Sequence, residues 1–224
     1  MTFHPLGEEA VLVYLPDEAA AVRFADAVRA AKPAWLHDVV PAYASVGVFF
    51  NASAIRSAEV IAWLRTSATR RKSAAVAPRQ HTIPVCYEFQ QDLARVAEHT
   101  GLTPEQVIDK HAAAEYTVYA IGFVPGFPYL GYLPDELSGV PRLPSPRVRV
   151  EPGSVGLTAK QTGVYPLARP GGWNLLGRTP LVLVDVADGY FPLRVGDRVQ
   201  FRRIGETEYR ELEGERLTSA SGPA

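Results

Sequence analysis

The alternation of apolar and polar residues indicates that the first part of the chain mixes strands with helices. After an apolar run at residues 10–15, Ala21, Phe24 and Val28 recur at the spacing that places them on one face of a helix. Strands are expected at residues 10–15, Trp35–Val40 and Ser45–Phe50, with Pro41 separating the last two, and helices at Glu18–Ala31 and Ala58–Leu64. This order predicts a split βαβ arrangement, in which helices cover one face of an antiparallel sheet.

The second part of the chain contains two helices among many short strands. Thr103, Pro104 and Gln106 have the order of an N-cap, a first helical residue and a capping-box partner. Strands are expected at His81–Phe89, Val118–Phe123, Leu181–Val186 and Arg198–Arg203, and helices at Asp92–His99 and from Pro104 to about Ala114. Short strands with Gly/Pro turns at this spacing predict a barrel or a sandwich.

Together these patterns predict two domains of an α+β protein. The polar, alanine-rich segment Thr66–Gln80 is typical of a linker. We therefore expect an α+β N-terminal domain at residues 1–80 and a β domain at residues 81–204. Residues 205–224 are charged and then small and polar, which predicts a flexible tail.

Composition excludes several classes of function. With 224 residues, 47% of them hydrophobic, and a net charge of −1, the chain can bury a core and has no charge excess that would attract nucleic acid or a membrane. Cys86 is the single cysteine and the histidines show no zinc-type pairing, so no metal site is predicted. No P-loop, signal peptide or membrane-length apolar run (about 18 residues) is present, and a cytoplasmic location is expected.

Four turn-dense segments between Tyr116 and Thr179 combine Gly or Pro with aromatic residues. Such segments form rigid loops that present side chains to a ligand. Gln161 and Thr162 add an amide and a hydroxyl beside Gly163. The candidate binding residues are Phe123, Pro125, Gly126, Phe127, Gln161, Thr162 and Trp173. Packing in the core is the alternative for about half of the aromatic residues, and satisfying turn backbone is the alternative for Gln161 and Thr162.

Three charged or titratable residues are candidates for catalysis. His111 lies in the last turn of the capped helix, where it would act as a proton donor or bind an anion, or simply cap the helix. Glu88 could be the carboxylate partner of His111, or a solvated charge. Arg178 follows a glycine and precedes a strand, so it could bind a carboxylate or phosphate, or form an ion pair between loops.

Five ordered motifs resemble the KipI / allophanate hydrolase subunit 1 family, and within it the branch that provides the B subunit of bacterial 5-oxoprolinase. The resemblance covers about residues 5–204. The motifs lie at Val118–Gly131, Pro141–Arg147, Gly153–Gly156, Gln161–Pro166 and Pro170–Pro180. The resemblance implies a small α+β domain followed by a cyclophilin-like β-barrel.

The resemblance also implies an activity and partners. In this branch, the B subunit works with the C and A subunits to convert 5-oxoproline to glutamate at the expense of ATP, and is inactive alone. The B and C subunits are expected to activate the lactam by phosphorylation, with ATP, with or without magnesium, bound by the complex and no covalent cofactor. In this scheme the barrel loops would hold 5-oxoproline, and His111 and Arg178 would contact an anion or phosphate.

The sequence departs from the usual family pattern at two places, and three other functions are alternatives to a 5-oxoprolinase subunit. The glycine pair that usually precedes Glu88 is absent, and Ala159 stands where relatives have glycine. Another branch of the family inhibits a sensor histidine kinase, and an older description places members in urea or allophanate metabolism. A prolyl isomerase would rest on the barrel fold alone, which does not carry activity.

Overall fold

The computed structural model describes residues 1–68 and 77–218. The chain divides into two compact units, Met1–Ala77 and Pro78–Ala224. Most of the predicted linker, residues 69–76, lies outside the described residues, as do residues 219–224 of the predicted tail.

The first unit contains a four-stranded antiparallel sheet. Its elements are β1 (Thr2–Pro5), β2 (Ala10–Tyr14), α1 (Glu18–Ala31), β3 (Leu36–Ala42), β4 (Ser45–Phe50) and α2 (Ser57–Trp63), which a π-helical turn extends to Ala68. The strand order is β1-β2-β4-β3. Because β2 and β3 both run antiparallel to β4, they are parallel to each other, and α1 connects them. The predicted split βαβ arrangement is confirmed.

Local sequence explains the boundaries of these elements. Asp17 caps α1 by accepting a hydrogen bond from the backbone N–H of Ala20 at 2.6 Å. Pro41 lies inside β3 and does not separate the strands as expected; the turn comes at Tyr43, whose φ is 52°. β3 is an edge strand, and an edge strand tolerates a proline because no strand on its outer side needs a backbone N–H donor.

The core of the unit comprises Val11, Val13, Ala21, Phe24, Ala25, Val28, Val39, Val46, Val48, Phe50, Val60 and Leu64.

The second unit is built on a closed seven-stranded barrel. Its elements are β5 (Gln80–Cys86), α3 (Leu93–Thr100), α4 (Pro104–Ala113), β6 (Glu115–Ile121), β7 (Pro128–Gly131), β8 (Arg147–Val150), β9 (Ser154–Thr158), β10 (Gln161–Val164), β11 (Arg169–Gly171), β12 (Asn174–Arg178), β13 (Arg198–Ile204) and α5 (Glu206–Glu211). The barrel order is β10-β7-β6-β13-β5-β12-β9, and β8 pairs with β11 separately. The predicted α+β fold with a β-barrel is confirmed.

The barrel interior is filled by alternate strand residues and by apolar residues of α3 and α4. Val155, Leu157, Leu130, Val118 and Phe201 belong to the same buried cluster as Val96, Val107 and Ile108 of the two helices. The capping box of α4 is present: Thr103 Oγ1 accepts from the N–H of Gln106 at 3.2 Å, and Gln106 Oε1 accepts from the N–H of Thr103 at 2.9 Å. Among the described residues, no helix has the length and apolar content that a membrane crossing requires.

Two expectations for the end of the chain are wrong. Leu181–Val186 is not a strand; it forms isolated bridges at Val182 and Asp185, while Leu183 and Val184 are buried in packing. The predicted tail contains α5 and the buried Leu217, which is 3% exposed. Backbone hydrogen bonds join this segment to Val182 in both directions, at 2.7 and 3.2 Å. A few apolar side chains in a polar segment are therefore enough to dock it.

We predict that Leu217→Ala destabilises the second unit by about 2–4 kcal/mol, because it leaves a cavity in the main core. Urea unfolding monitored by circular dichroism measures the change. Thr218→Ala is the matched control, since Thr218 is exposed. Equal stability of the Leu217→Ala variant and the wild type would contradict the docking of this segment.

Candidate functional site

A closed loop, Gly122–Phe127, projects an exposed aromatic ring. The N–H of Val124 donates to the carbonyl of Gly122 at 2.7 Å, and the N–H of Phe127 donates to the carbonyl of Val124 at 3.1 Å. Phe123 has a φ of 65°, a left-handed conformation that bulky residues rarely adopt, and is 59% exposed. Strained backbone and an exposed large aromatic at one residue are typical of a binding loop.

Phe127 is the centre of a group of rings that we call the aromatic layer. Its ring centroid lies 5.0–5.5 Å from four other rings, all in edge-to-face orientation, the geometry that aromatic pairs prefer. The aromatic layer comprises Phe123, Phe127, Tyr129, Tyr165 and Trp173. Phe127, Tyr165 and Trp173 are buried, Tyr129 is half-buried and Phe123 is the most exposed. Phe123 and Tyr129 are therefore the rings of the layer that a ligand from solvent can contact most readily.

Two glycines on the outer face of the barrel support this layer, and we call them the glycine floor. Gly163 pairs with Tyr129 on one side and with Gly156 on the other. A Cβ at Gly163 would lie 2.7 Å from the carbonyl oxygen of Pro128 and 3.1 Å from the Trp173 ring. A Cβ at Gly156 would lie 3.2 Å from Trp173 Cβ. The two glycines of the sequence motifs therefore let the rings pack directly on the strands.

The same strand separates Gln161 from Thr162. Gln161 lies on the outer face with Gly163, half-buried, and its amide makes no hydrogen bond with the described residues. Thr162 points into the barrel and is fully buried. The adjacent turn holds Ala159 at a φ of 50°, a left-handed conformation that favours glycine. Of this pair, only Gln161 is placed to meet a ligand on the aromatic layer.

On the other side of the loop, Gly126 packs against apolar side chains. Its φ is 75°, and a Cβ there would collide with Val184. A cavity of about 180 Å³ adjoins it, lined by Ile121, Gly126, Leu183, Val184, Phe191, Pro192 and Leu193. Pro125 is exposed beside Gly126. The loop thus has an apolar cavity on one side and the aromatic layer on the other.

His111 lies inside the barrel, within a hydrogen-bonded chain. Thr162 Oγ1 donates to the carbonyl of Gly156 at 3.0 Å, so it accepts from His111 Nε2 at 2.9 Å. The Nδ1 atom of His111 then accepts from the hydroxyl of Tyr87 at 2.8 Å. Because Phe201 on β13 stacks on the ring while Thr162 lies across the barrel on β10, the side chain spans the interior.

Burial keeps the His111 ring neutral. The imidazole is fully buried, and this desolvation lowers its pKa to about 3. Burial also raises the pKa of the hydroxyls of Tyr87 and Tyr116, so the surrounding groups stay uncharged as well. The helix end was expected to favour an imidazolium, but desolvation outweighs that effect. The position suits a role in holding Thr162 and β10, and offers no contact with a solvent-borne anion.

Glu88 is not the partner of His111, which contacts Tyr87 and Thr162 instead. The exposed Glu88 accepts a hydrogen bond from Cys86 Sγ at 3.0 Å, and this bond lowers the pKa of the carboxyl group. Burial raises the pKa of the Cys86 thiol to about 11, so the thiol remains protonated. The expected carboxylate–histidine pair fails because Glu88 points out of the barrel from the turn after β5.

Arg178 lies at the opposite end of β12 from the aromatic layer. Three residues separate it from Asn174, so the two lie about 13 Å apart along the strand. Its Nε donates to the carbonyl of Pro152 at 2.9 Å, and its Cα pairs with that of Cys86. The sequence-predicted residues therefore form three groups: the aromatic layer with Gln161, the buried pair His111 and Thr162, and Arg178 near Cys86 and Glu88.

Tyr129 and Tyr165 complete the layer, although they were not among the candidate binding residues. The alternation along Gln161–Tyr165 could have identified Tyr165, because it places Gln161, Gly163 and Tyr165 on one face. Tyr129 is found by its register with Gly163, which only the strand pairing supplies. Among the described residues, no cluster of three or more His, Cys, Asp or Glu side chains is arranged to hold a metal ion.

We predict that Gly163→Ala costs about 1–3 kcal/mol of stability and disturbs the aromatic layer, because the new methyl group meets main-chain oxygen and two rings. Near-ultraviolet circular dichroism and urea unfolding measure both effects. Gly122→Ala is the matched control, since its nearest neighbour would be a Tyr129 ring carbon at an ordinary 3.8 Å. An unchanged aromatic spectrum in Gly163→Ala would contradict the packing of the layer on the glycine floor.

We predict that His111 makes unfolding easier as the pH falls. The pKa of the ring is about 3 in the folded chain and about 6.5 when unfolded, so the unfolded state binds the extra proton between these values. The stability that the neutral His111 ring contributes to the folded chain is fully present above about pH 6.5 and is lost as the pH falls towards 3. Between pH 7 and pH 5 the wild type should lose about 2 kcal/mol more than His111→Gln.

Urea unfolding at the two pH values measures this difference, and ¹⁵N NMR of the ring reports the Nε2–H tautomer directly in the wild type. An imidazolium at pH 5 would contradict the buried hydrogen-bonded chain.

Comparisons with known proteins agree with this architecture. A sequence model of the family described as "Carboxyltransferase domain, subdomain C and D" matches residues 1–191. The chain is 50% identical over 130 residues to the B subunit of the 5-oxoprolinase of Bacillus subtilis (strain 168), covering 57% of this chain and 54% of that protein. It is 53% identical over 122 residues to the B subunit of the 5-oxoprolinase of Escherichia coli O157:H7, covering 53% and 56%. The matches thus span about half the length of these relatives.

Solved structures share the fold. The structure of TTHA0988 in space group P6522 has a TM-score of 0.76 and 34% identity, covering 88% of this chain and 40% of that chain. The conserved uncharacterized protein PH0987 from Pyrococcus horikoshii has a TM-score of 0.54 and 35% identity, covering 93% and 100%. The Kluyveromyces lactis urea carboxylase, at 16% identity and a TM-score of 0.74 over 98% of this chain and 24% of its own, shows the fold alone.

The family model covers the first compact unit and most of the second, and the family resemblance predicted from the motifs is confirmed. The chain belongs to the family of carboxyltransferase domains, subdomains C and D.

Proposed function

We propose that the chain is the B subunit of an ATP-dependent 5-oxoprolinase, which works with the C and A subunits to convert 5-oxo-L-proline to L-glutamate. The observation that carries the proposal is the identity of about half the aligned residues with two proteins named as B subunits of 5-oxoprolinase. Both alignments extend over more than half of this chain. A cytoplasmic location is part of the proposal, because the reaction consumes ATP.

The chemistry requires activation of a poor electrophile. The lactam nitrogen donates electron density to the carbonyl carbon, so water does not open the ring readily. Transfer of the γ-phosphoryl group of ATP to the lactam oxygen forms an O–P bond and releases ADP. Water then attacks the carbon and the C–N bond breaks, with the nitrogen becoming the free amine of γ-glutamyl phosphate. A second water cleaves this acyl phosphate, which releases phosphate and gives glutamate. In this proposal the phosphorylated lactam is formed by the B and C subunits together, and its hydrolysis is completed by the A subunit.

The aromatic layer supports this proposal as a substrate surface. The ring of 5-oxoproline is small and flat, and Phe123 and Tyr129 offer exposed or half-exposed rings beside Gln161, whose amide has no partner among the described residues. An amide can donate to the lactam oxygen and accept from the lactam N–H, which fixes the orientation of the ring. The buried His111 acts here through Thr162 and β10, and has no role as an acid or base.

Arg178 is the candidate contact for phosphate in the assembled complex. Its guanidinium is half-buried and uses Nε on the carbonyl of Pro152, so its terminal nitrogens remain for an anion. ATP, with magnesium if the reaction needs it, would bind to the complex. The distance along β12 between Arg178 and the aromatic layer is a reason to involve the C subunit in the same site.

The proposal predicts 5-oxoproline-dependent ATP hydrolysis only when the chain is mixed with the C and A subunits. In that mixture, Phe123→Ala should lower kcat/KM at least tenfold, about 1.4 kcal/mol of barrier, while the unfolding free energy is unchanged because the ring is 59% exposed. Val148→Ala is the matched control, since Val148 is 89% exposed and outside the aromatic layer.

Size-exclusion chromatography of the same mixtures separates a loss of activity from a loss of assembly. No turnover of 5-oxoproline by an assembled complex would contradict the proposal. Turnover of urea or allophanate by that complex, or inhibition of a sensor histidine kinase by the chain alone, would replace it with the corresponding function.

A further inference from the structure

We propose that Arg142 binds the carboxylate of the ligand that the aromatic layer holds, so that the site selects small ring compounds carrying a carboxylic acid. The inference deepens the proposed function and rests on it for the identity of the acid, 5-oxoproline. Arg142 belongs to the Pro141–Arg147 motif, but it was not among the candidate binding residues.

The main chain on both sides of Arg142 is fastened beside the aromatic layer. The side-chain amide of Asn174 donates to the carbonyl of Pro141 at 2.9 Å, and the N–H of Leu143 donates to the carbonyl of Gly172 at 2.7 Å. Asn174 is itself fully buried. Arg142 is therefore held next to Gly172 and Trp173, the segment that borders the layer.

The guanidinium of Arg142 is available to a ligand. Arg142 is exposed and forms no hydrogen bond or ion pair with the described residues. Arg147, the other arginine close to Tyr165, is occupied: its Nη2 donates to both carboxylate oxygens of Asp92 at 2.7 and 2.9 Å, and its Nε donates to Gln91 at 3.0 Å. Only Arg142 of the two retains the paired donors that suit a carboxylate.

Polar groups converge on the hydroxyl of Tyr165, at the edge of the layer. Gly171 lies so close that a Cβ there would collide with this hydroxyl. Burial raises the pKa of Tyr165, while the N–H of Trp173 and the guanidinium groups of Arg142 and Arg147 act in the opposite direction. Of the two arginines, Arg142 is the one without an ion pair among the described residues, so an anion placed at this edge gains from its charge.

These features define the class of ligand. A planar ring would lie on Phe123 and Tyr129, and a carboxylate on that ring would reach Arg142 and the hydroxyl of Tyr165. A neutral ring would contact only the apolar surface, and a bare anion would contact only the cationic edge. Each alone would therefore bind weakly. A cyclic monocarboxylate such as 5-oxoproline meets both requirements.

The test compares two ligands on the assembled complex without ATP, so that neither is consumed. Calorimetry with 5-oxoproline should show binding to the wild type that Arg142→Gln weakens about ten- to a hundredfold, with Arg142→Lys in between. Pyrrolidin-2-one, the same ring without the carboxylate, should bind the wild type and Arg142→Gln equally weakly. Arg149→Gln is the control, because Arg149 is exposed and already paired with Glu151 at 2.6 Å.

Two results would overturn the inference: equal 5-oxoproline affinity in the wild type and Arg142→Gln, or a wild type that binds 5-oxoproline no better than pyrrolidin-2-one. A loss of affinity in Arg178→Gln with none in Arg142→Gln would move the carboxylate to Arg178. Failure of the proposed function shows separately, as a wild-type complex that does not hydrolyse ATP with 5-oxoproline, whatever Arg142 does to binding.

Discussion

The packing of Trp173 and Phe127 on Gly163 and Gly156 is the contact on which the candidate site depends. With no Cβ between rings and strands, the aromatic layer lies directly on the outer face of β9 and β10. The layer in turn supports the loop that presents Phe123, and it borders the segment that fastens Arg142. A methyl group at either glycine would push the rings outward and change every contact above them.

The closed barrel separates two kinds of polar environment. Inside, His111, Thr162 and Tyr87 satisfy one another, and burial keeps the histidine neutral. Outside, Arg142 and Gln161 have side-chain groups that form no hydrogen bond with the described residues, at the edge of the aromatic layer. Because strand side chains alternate between these environments, neighbouring residues such as Gln161 and Thr162 have different roles. Interior groups hold the scaffold, and exterior groups can meet a ligand.

The sequence predicted the fold well where local signals and tertiary packing agree. The capping box at Thr103 and the helix with Phe24 on its apolar face were found because both signals are local. The docking of Leu217 and the loss of the strand at Leu181–Val186 depend on partners far along the chain, which no local pattern contains. The predicted site was partly assembled: Phe123 and Trp173 both contact Phe127, because two of the motifs fold onto one barrel face. The direction of the His111 side chain depends on how α4 packs against the barrel, which no local sequence pattern specifies.

The proposed binding position of 5-oxoproline can be tested most directly by NMR of the chain assembled with the proposed partner subunits, with the aromatic side chains of this chain labelled with ¹³C and 5-oxoproline added. Binding on the outer face of the barrel predicts that the ring signals of Phe123, Tyr129 and Tyr165 shift together. The rings of Tyr87 and Tyr116, which lie in the interior, should not move. Shifts confined to Phe89 and Tyr209, near the Arg178 end of the barrel, would contradict the assignment of the aromatic layer as the substrate surface.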